Sequence, residues 1–192
     1  AGGRVVKPAT RKWRADYLSE KIWSRVGMQA DAYWWLEAPE GLEVAGSGLC
    51  ATMRDYVRFG LFALNDGIAG GERVVPEGWF AEASGAHDSG DAFNYGYMWW
   101  PVPDRSGSFR DGAYSARGIF GQYIYINPAR NLLITVLSSR AKPKYSEAIL
   151  DNDLFNAVVA AIGCSAALRR KFGQFLGDRL AQPAPERPNQ AV

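Results

Sequence analysis

The sequence has 192 residues, enough for one domain with a substantial core. Hydrophobic residues make up 47% and charged residues 22%, and the net charge of +2 indicates neither nucleic acid nor an anionic membrane as a partner. No apolar run reaches the roughly 18 residues that a membrane span needs, and the first residues contain no apolar signal-peptide core.

The N-terminal part of the chain is predicted to be mainly helical. Residues 1–12 are glycine-rich and basic, and we expect them to be loose. Apolar residues at helical spacing predict a helix over about residues 13–25, and Gly27 stands where helices commonly end. Residues 28–48 are aromatic and rich in turn-forming residues, which indicates an irregular stretch.

The clearest predicted helix follows Thr52. Thr52 is an N-cap residue, and Asp55 stands three residues later, as in a capping box. Asn65 to Gly67 form the predicted end, and Pro76 begins a second, short helix. One face of the first helix is apolar along its whole length: Met53, Tyr56, Val57, Leu61 and Leu64.

Strands are predicted next. Residues 93–101 read as one strand, and 118–126 and 132–138 as two more, joined by a turn at 127–131. A helix is predicted over 145–162, with another possible over 164–180 and a proline-rich end that we expect to be disordered. Helices, then antiparallel strands, then a helix predict an α+β protein.

The two cysteines and the single histidine indicate no metal or cofactor. Cys50 and Cys164 are far apart in sequence, so they form neither a ligand cluster nor a disulfide framework. His87 lies in a polar loop, where a solvated side chain is the simpler interpretation. The compartment, cytoplasm or periplasm, is undecided by these features.

Gly118 and Gly121 stand inside what reads as a core strand. Glycine weakens a strand, so it needs a structural or functional reason. One reason is a bulge or tight packing beneath a helix. The other is a ligand that lies along the strand edge, with backbone N–H groups that point at its carbonyl oxygen as in an oxyanion hole.

Four segments in this order resemble the serine β-lactamase-like hydrolases. The segments are ADYLSEKIWSRVGMQADAYWW, GLCATMRDYVRFGLFALNDG, YGYMWW and GIFGQYIYINPARNLLITVLSS. The similarity is strongest to the branch of class C β-lactamases, family VIII esterases and 6-aminohexanoate-dimer hydrolases. It covers about residues 14–162.

The resemblance implies a β-lactamase/transpeptidase-like fold with an antiparallel sheet lobe, a helical lobe and an active site between them. Residues 1–90 would then be a remnant of the helical lobe with cleft loops. Residues 91–163 would be strands and the last helix of the sheet lobe, and 164–192 an additional helix and tail. The implied chemistry is attack by a serine of an S-x-x-K motif on a small ester or amide, through an acyl-enzyme.

The resemblance also implies site residues. Ala116-Arg117-Gly118 stands where the family has Lys-Thr-Gly or a relaxed version. Gly118 would let the substrate lie against the strand, and the Ile119 N–H would donate to the oxyanion. Arg117 would offer positive charge, although strand alternation leaves its direction open. The missing Lys-Thr pair favours an esterase or amidase over a β-lactamase.

Aromatic residues are candidates for substrate contact. Tyr33, Trp34 and Trp35 lie in a loop near the cleft that the resemblance implies. Alternation places Tyr97 and Trp99 on one strand face, where core packing is the first interpretation and a wall of the acyl pocket is the second.

The family nucleophile is missing from the matched region. The sequence contains one S-x-x-K match, Ser139 to Lys142, but it follows a strand and Pro143 disfavours a helix there. Ser47 lacks the outer glycines of G-x-S-x-G. We therefore expect the chain to be the C-terminal part of a longer hydrolase, inactive alone. The alternative is a non-catalytic binding module, and a cooperative melting transition would favour that module.

Overall fold

The structure is a computed structural model that describes residues 3–85, 95–139 and 148–164. Five α-helices and one 3-10 turn (Pro128–Arg130) lie in these ranges, and a short π-helical segment, Ser19–Trp23, directly continues the second α-helix. The helices are α1 (Gly3–Thr10), α2 (Arg14–Leu18), α3 (Met53–Leu64), α4 (Trp79–Ser84) and α5 (Ala148–Cys164).

The strands form one four-stranded antiparallel sheet and two small ribbons. In the sheet the order is β5-β6-β7-β8, and the ribbons pair β1 with β2 and β3 with β4. This arrangement confirms the predicted α+β class. The strands are β1 (Tyr33–Trp34), β2 (Leu49–Cys50), β3 (Ile68–Ala69), β4 (Glu72–Arg73), β5 (Trp100–Pro101), β6 (Tyr114–Arg117), β7 (Tyr123–Asn127) and β8 (Leu132–Val136).

Helices cover both faces of the sheet. On one face Phe62 and Ala63 of α3 pack with Tyr114, Ile124 and other residues of the strands. On the opposite face Phe155 of α5 packs with Tyr123, Tyr125 and their neighbours. Because both faces are buried, β7 and β8 are mainly apolar on both sides, whereas β6 places Ser115 and Arg117 on the α5 face.

Helix α3 begins where the sequence predicts and has a fixed direction across the sheet. The Thr52 hydroxyl accepts from the Asp55 N–H at 3.2 Å. Near the other end of the helix, the Tyr114 hydroxyl donates to the Ala63 carbonyl at 3.4 Å. A Cβ built on Gly60 would lie 2.5 Å from Leu133 Cδ1 and 3.1 Å from Ile124 Cγ2. The helix therefore runs with its N-terminal end toward the far end of β6.

Several local predictions are wrong. Residues 3–10 form α1 instead of a loose segment. The predicted strand 93–101 is reduced to β5 in the described residues, because Met98 has a φ of +68°. The predicted strand 118–126 is a turn followed by β7.

Some predictions fall outside the described residues. These are the loop with His87, the segment 140–147 and the helix proposed for 164–180, apart from Cys164 at the end of α5. The division into 1–90, 91–163 and 164–192 stays a prediction.

Candidate active site

The two glycines belong to a tight hairpin between β6 and β7. The Gly118 N–H donates to the Gln122 carbonyl at 2.7 Å, and the Gly121 N–H donates to the Gly118 carbonyl at 3.1 Å. Gly121 has a φ of +90°. This is the pattern of a three-residue hairpin loop, in which a turn is followed by a residue in the left-handed region. Gly121 therefore serves the turn.

The hairpin leaves the Ile119 N–H available. The N–H and C=O groups of Gly118 both point toward β7, where they bond Gln122 and Gly121. In an antiparallel ladder the N–H groups of the two neighbours, Arg117 and Ile119, then point toward the other side of β6. There β5 pairs with Ser115 and Tyr114 but extends no further along β6. Among the described residues no group accepts from the Ile119 N–H. The Ile119 N–H is therefore placed to bond a group outside the described residues, and its predicted role as an oxyanion donor stays a prediction.

Glycine at position 118 has a structural reason, while the predicted one, close approach of the substrate, stays a prediction. A Cβ there would lie 2.5 Å from Gln122 Oε1 and 3.2 Å from Gln122 Cβ. The Gln122 side chain crosses this space, and its Nε2 donates to the Ser138 carbonyl at 2.5 Å. Glycine at 118 therefore lets Gln122 tie the hairpin to the chain beyond β8.

Replacing Gly118 with alanine should lower the free energy of unfolding by about 1–2 kcal/mol, because the new Cβ displaces Gln122. In a Gln122→Ala background the same replacement should cost less than about 0.5 kcal/mol. Urea unfolding of the wild type, the two single variants and the double variant measures the two costs in free energy of unfolding. Equal costs in both backgrounds would show that Gln122 is not the reason for glycine at 118.

Arg117 lies on the α5 face of the sheet. Its Nε donates to the Ser115 hydroxyl at 2.8 Å, and its second guanidinium nitrogen donates to Asn152 Oδ1 on α5 at 2.7 Å. The guanidinium carbon also lies 5.9 Å from the centre of the Trp100 ring. The contacts of Arg117 therefore join strand and helix, and its role in substrate binding stays a prediction.

Trp99 lies in the core. It is 9% exposed and packs edge-on against Phe80 and Tyr114, with ring centres 6.0 and 5.0 Å away. Tyr97 is 49% exposed, so the two residues do not share a face as alternation predicted. Core packing, the first interpretation of the sequence, accounts for the position of Trp99.

The predicted aromatic loop is a hairpin built on β1 and β2, and we call residues 33–50 the aromatic hairpin. Trp34 is held in place, because its indole N–H donates to the carbonyls of Val44 and Ser47 at 2.9 and 3.1 Å. Tyr33 and Trp35 are 70% and 66% exposed. These two side chains are therefore presented to solvent, as a role in substrate contact requires.

An ion pair that the sequence did not reveal anchors the aromatic hairpin. The buried Glu43 carboxylate accepts from the backbone N–H groups of Arg14 and Ala15, both at 2.8 Å, at the start of α2. The Arg14 guanidinium donates to the Glu43 carbonyl and lies 4.8 Å from the Trp34 ring centre. The one local signal was a carboxylate between apolar residues, which must find partners when it is buried.

The two halves of the candidate site lie at the same end of the sheet. The Tyr56 hydroxyl donates to the Leu49 carbonyl at 2.6 Å, which ties the aromatic hairpin to the N-terminal part of α3. That part of α3 points toward the end of β6 that carries Gly118 and Ile119. The fold thus brings Tyr33, Trp35 and Ile119 to one end of the molecule.

The opposite end of β6 has a pocket of about 580 Å³. Its lining includes Phe80, Tyr114 and Asp66 but none of the predicted site residues. In the described residues, no three His, Cys, Asp or Glu side chains are grouped as a metal site requires. No helix in the ranges given above is long and apolar enough to cross a membrane.

Comparison with known proteins identifies the class. The family model for β-lactamase matches residues 2–158, and the chain belongs to this family. The fold agrees with a β-lactamase from Mycobacterium bovis, which has 20% identity and a TM-score of 0.59 over 83% of this chain and 59% of that protein.

More similar relatives share one name. The chain is 30% identical over 150 residues to the 6-aminohexanoate-dimer hydrolase of Paenarthrobacter ureafaciens, across 72% of this chain and 37% of that enzyme. A Bacillus anthracis structure, provisionally described as a 6-aminohexanoate-dimer hydrolase, has 28% identity and a TM-score of 0.68. It is matched over 84% of this chain and 41% of its own length. The chain thus spans about two fifths of the length of these relatives.

Proposed function

We propose that this chain forms the oxyanion side of the active site of a serine hydrolase that cleaves small esters or amides through an acyl-enzyme. The observation that carries the proposal is the Ile119 N–H, which the Gly118–Gln122 hairpin directs to the edge of β6 beyond its pairing with β5, where no described residue accepts it. A preorganised backbone donor at such a position stabilises the negative charge that develops on a carbonyl oxygen under attack.

The exposed aromatic residues fit a substrate of this class. Tyr33 and Trp35 offer apolar and polarisable surface, while the Arg14–Glu43 pair and the Trp34 hydrogen bonds hold the backbone beneath them. Aromatic walls with few polar groups suit an uncharged acyl chain better than a carboxylated β-lactam. The name of the Paenarthrobacter ureafaciens relative supports an amide of a short aliphatic acid as one candidate.

We propose that neither Ser139 nor Ser47 is the nucleophile. Ser139 follows β8 in exposed, non-helical chain, and Ser47 lies in an exposed bend of the aromatic hairpin. Ser47 does not lie at the start of a helix, which is where the resemblance implies the S-x-x-K serine, and Pro143 disfavours helical geometry after Ser139. We therefore propose that the chain hydrolyses nothing alone.

A chimera tests the proposal. The matched 150-residue segment of the Paenarthrobacter ureafaciens hydrolase is replaced by the corresponding segment of this chain. The proposal predicts hydrolysis of 4-nitrophenyl butyrate or of the 6-aminohexanoate dimer above the level of a chimera whose S-x-x-K serine is alanine. A folded chimera that takes up a fluorophosphonate at that serine but hydrolyses neither compound would contradict the proposed contribution.

A further inference from the structure

The ladder between β7 and β8 ends just before the β6–β7 hairpin. Because the backbone of Gln122 bonds toward β6, its neighbour Tyr123 faces β8, where it lies opposite Val136. In an antiparallel ladder the next bonded pair lies two residues further along each strand. That pair is Gly121 and Ser138, so a continued ladder would join the Gly121 N–H to the Ser138 carbonyl.

The Gly121 N–H forms a different bond. It donates to the Gly118 carbonyl at 3.1 Å and so closes the hairpin loop. The Ser138 carbonyl accepts instead from the side chain of Gln122, whose Nε2 lies 2.5 Å away. The side-chain amide of Gln122 therefore replaces the ladder bond that the turn removes, and it leaves the Gly121 N–H to the turn.

The Gly118 carbonyl belongs to the same peptide unit as the Ile119 N–H. This unit is trans and planar, so its carbonyl and its N–H point in opposite directions. The bond from Gly121 holds the carbonyl toward the hairpin loop and thereby directs the Ile119 N–H toward the other side of β6. Because Gly118 has no side chain, its backbone permits several directions of this peptide, and the hydrogen bond selects one of them.

The Gln122 side chain also limits the movement of Gly118. It lies on the α3 face of the sheet, which Gln122 shares with Ile124 by alternation. A Cβ on Gly118 would lie only 2.5 Å from Gln122 Oε1, so the side chain passes directly over this glycine. It reaches from the end of β6, across β7, to Ser138 beyond β8. One side chain thus holds the ends of three strands together where the backbone ladder stops.

We propose that Gln122 is the positioning residue of the Ile119 N–H. Its amide occupies the Ser138 carbonyl and so leaves the Gly121 N–H to the turn. The turn bond in its place fixes the peptide between Gly118 and Ile119. Without a donor at position 122, the Gly121 N–H is shared between two carbonyls, and that peptide loses its fixed direction. The catalytic value of the direction rests on the proposed function, since a donor is preorganised only if it points at the oxyanion before the reaction.

Order parameters of the Ile119 amide, from nitrogen relaxation of the full chain, test the positioning. The wild-type amide should be rigid, with an order parameter of about 0.85, and Gln122→Met should lower it below about 0.6. Methionine is similar to glutamine in length but has no N–H donor. Gln122→Lys is the matched control, because an ammonium group can donate to the Ser138 carbonyl and should keep the amide rigid.

An Ile119 amide that stays rigid in Gln122→Met would overturn the proposal. If the methionine variant does not fold, Gln122→Glu provides the same test, because an ionised carboxylate is also without a donor. This measurement does not depend on the proposed function, since it reads the direction of a peptide and not a reaction.

Turnover of 4-nitrophenyl butyrate by the active chimera tests whether the direction matters for the reaction. Gln122→Met should lower kcat at least about tenfold, because it misplaces a donor that acts in the transition state. KM should change less than about threefold, and Gln122→Lys should restore kcat to within about threefold of the chimera. A loss that appears in KM alone would contradict the proposal.

An Ile119→Pro background shows through which group Gln122 acts. Proline has no N–H to position, so in this background Gln122→Met should lower kcat less than about twofold further. A full second loss would overturn the proposal, as would a loss in Ile119→Pro beside an unchanged kcat in Gln122→Met. An unchanged kcat in Ile119→Pro would instead contradict the proposed function.

Discussion

Replacing Asp55 with alanine is expected to lower the free energy of unfolding by about 3–5 kcal/mol. Asp55 is fully buried, and its carboxylate accepts from the N–H groups of Gln29 and Ala30 at 2.7 and 3.3 Å and from the Thr52 hydroxyl at 2.7 Å. Arg58 adds an ion pair at 3.2 Å. Alanine leaves these donors without an acceptor, and urea unfolding followed by tryptophan fluorescence measures the loss.

The control for Asp55 is Asp104, a half-buried carboxylate at the surface with a similar set of donors. Asp104 accepts from the N–H groups of Ser106 and Ser108 and from the Ser106 hydroxyl, all within 2.9 Å, in an exposed turn. Water can replace the Asp104 carboxylate as the acceptor there, so Asp104→Ala should lower the free energy of unfolding much less than Asp55→Ala does. Similar losses for the two variants would contradict the role assigned to burial at Asp55.

The contribution of Asp55 should depend on pH in a known direction. Burial alone raises the pKa of Asp55, but the hydrogen bonds from Gln29, Thr52 and Ala30, together with Arg58, outweigh burial and hold that pKa below its ordinary value. The Asp55 carboxylate therefore makes its full contribution to the free energy of unfolding above the ordinary carboxyl pKa of about 4. This contribution is lost as the pH falls through the lower pKa of the folded state, because the unfolded chain then binds the proton more readily.

Replacing Ile119 with proline should lower the kcat of the active chimera by about 100- to 1000-fold, because it removes one oxyanion donor. Ile119 follows Gly118 at the second position of the turn, where proline is favoured, so the hairpin should be kept. The measurement is steady-state hydrolysis of 4-nitrophenyl butyrate.

Ile119→Ala is the matched control for the backbone donor. It shortens a side chain that is 59% exposed and leaves the N–H in place, so kcat should change by less than about threefold. Proline and alanine variants with equal kcat would show that the Ile119 N–H does not contact the reacting oxygen.

Local signals were sufficient to predict α3 and the turn after β7. The Thr52–Asp55 capping box and the apolar period fall on the observed helix. In the turn after β7, Asn127 Oδ1 accepts from the Arg130 N–H, and Asn131 has a φ of +47°. Both features are expected where Asn and Pro form a turn.

The β6–β7 hairpin could not be predicted as easily. Its loop is Ile119-Phe120-Gly121, and two of these residues are typical of strands, so the apolar run concealed the turn. Only the hydrogen bonds at Gly118 and the positive φ of Gly121 reveal it. The same hairpin directs the Ile119 N–H away from β7, so the local structure differs from the predicted strand, while the role of Ile119 as a donor stays a prediction.

Long-range contacts account for the remaining differences. Arg14 and Glu43 are 29 residues apart, and no periodic pattern connects them. Trp99 and Tyr97 were placed on one face by alternation, but the positive φ of Met98 between them breaks the strand. Neither effect is visible in local sequence, since each depends on how distant segments pack.

The most direct test of the account is the intact mass of this chain after incubation with a fluorophosphonate, with the Paenarthrobacter ureafaciens hydrolase as the labelled control. The account predicts an unchanged mass for this chain, because it provides the oxyanion donor and not the nucleophile. One added probe group on the folded chain, mapped to Ser139, Ser47 or another serine, would contradict it.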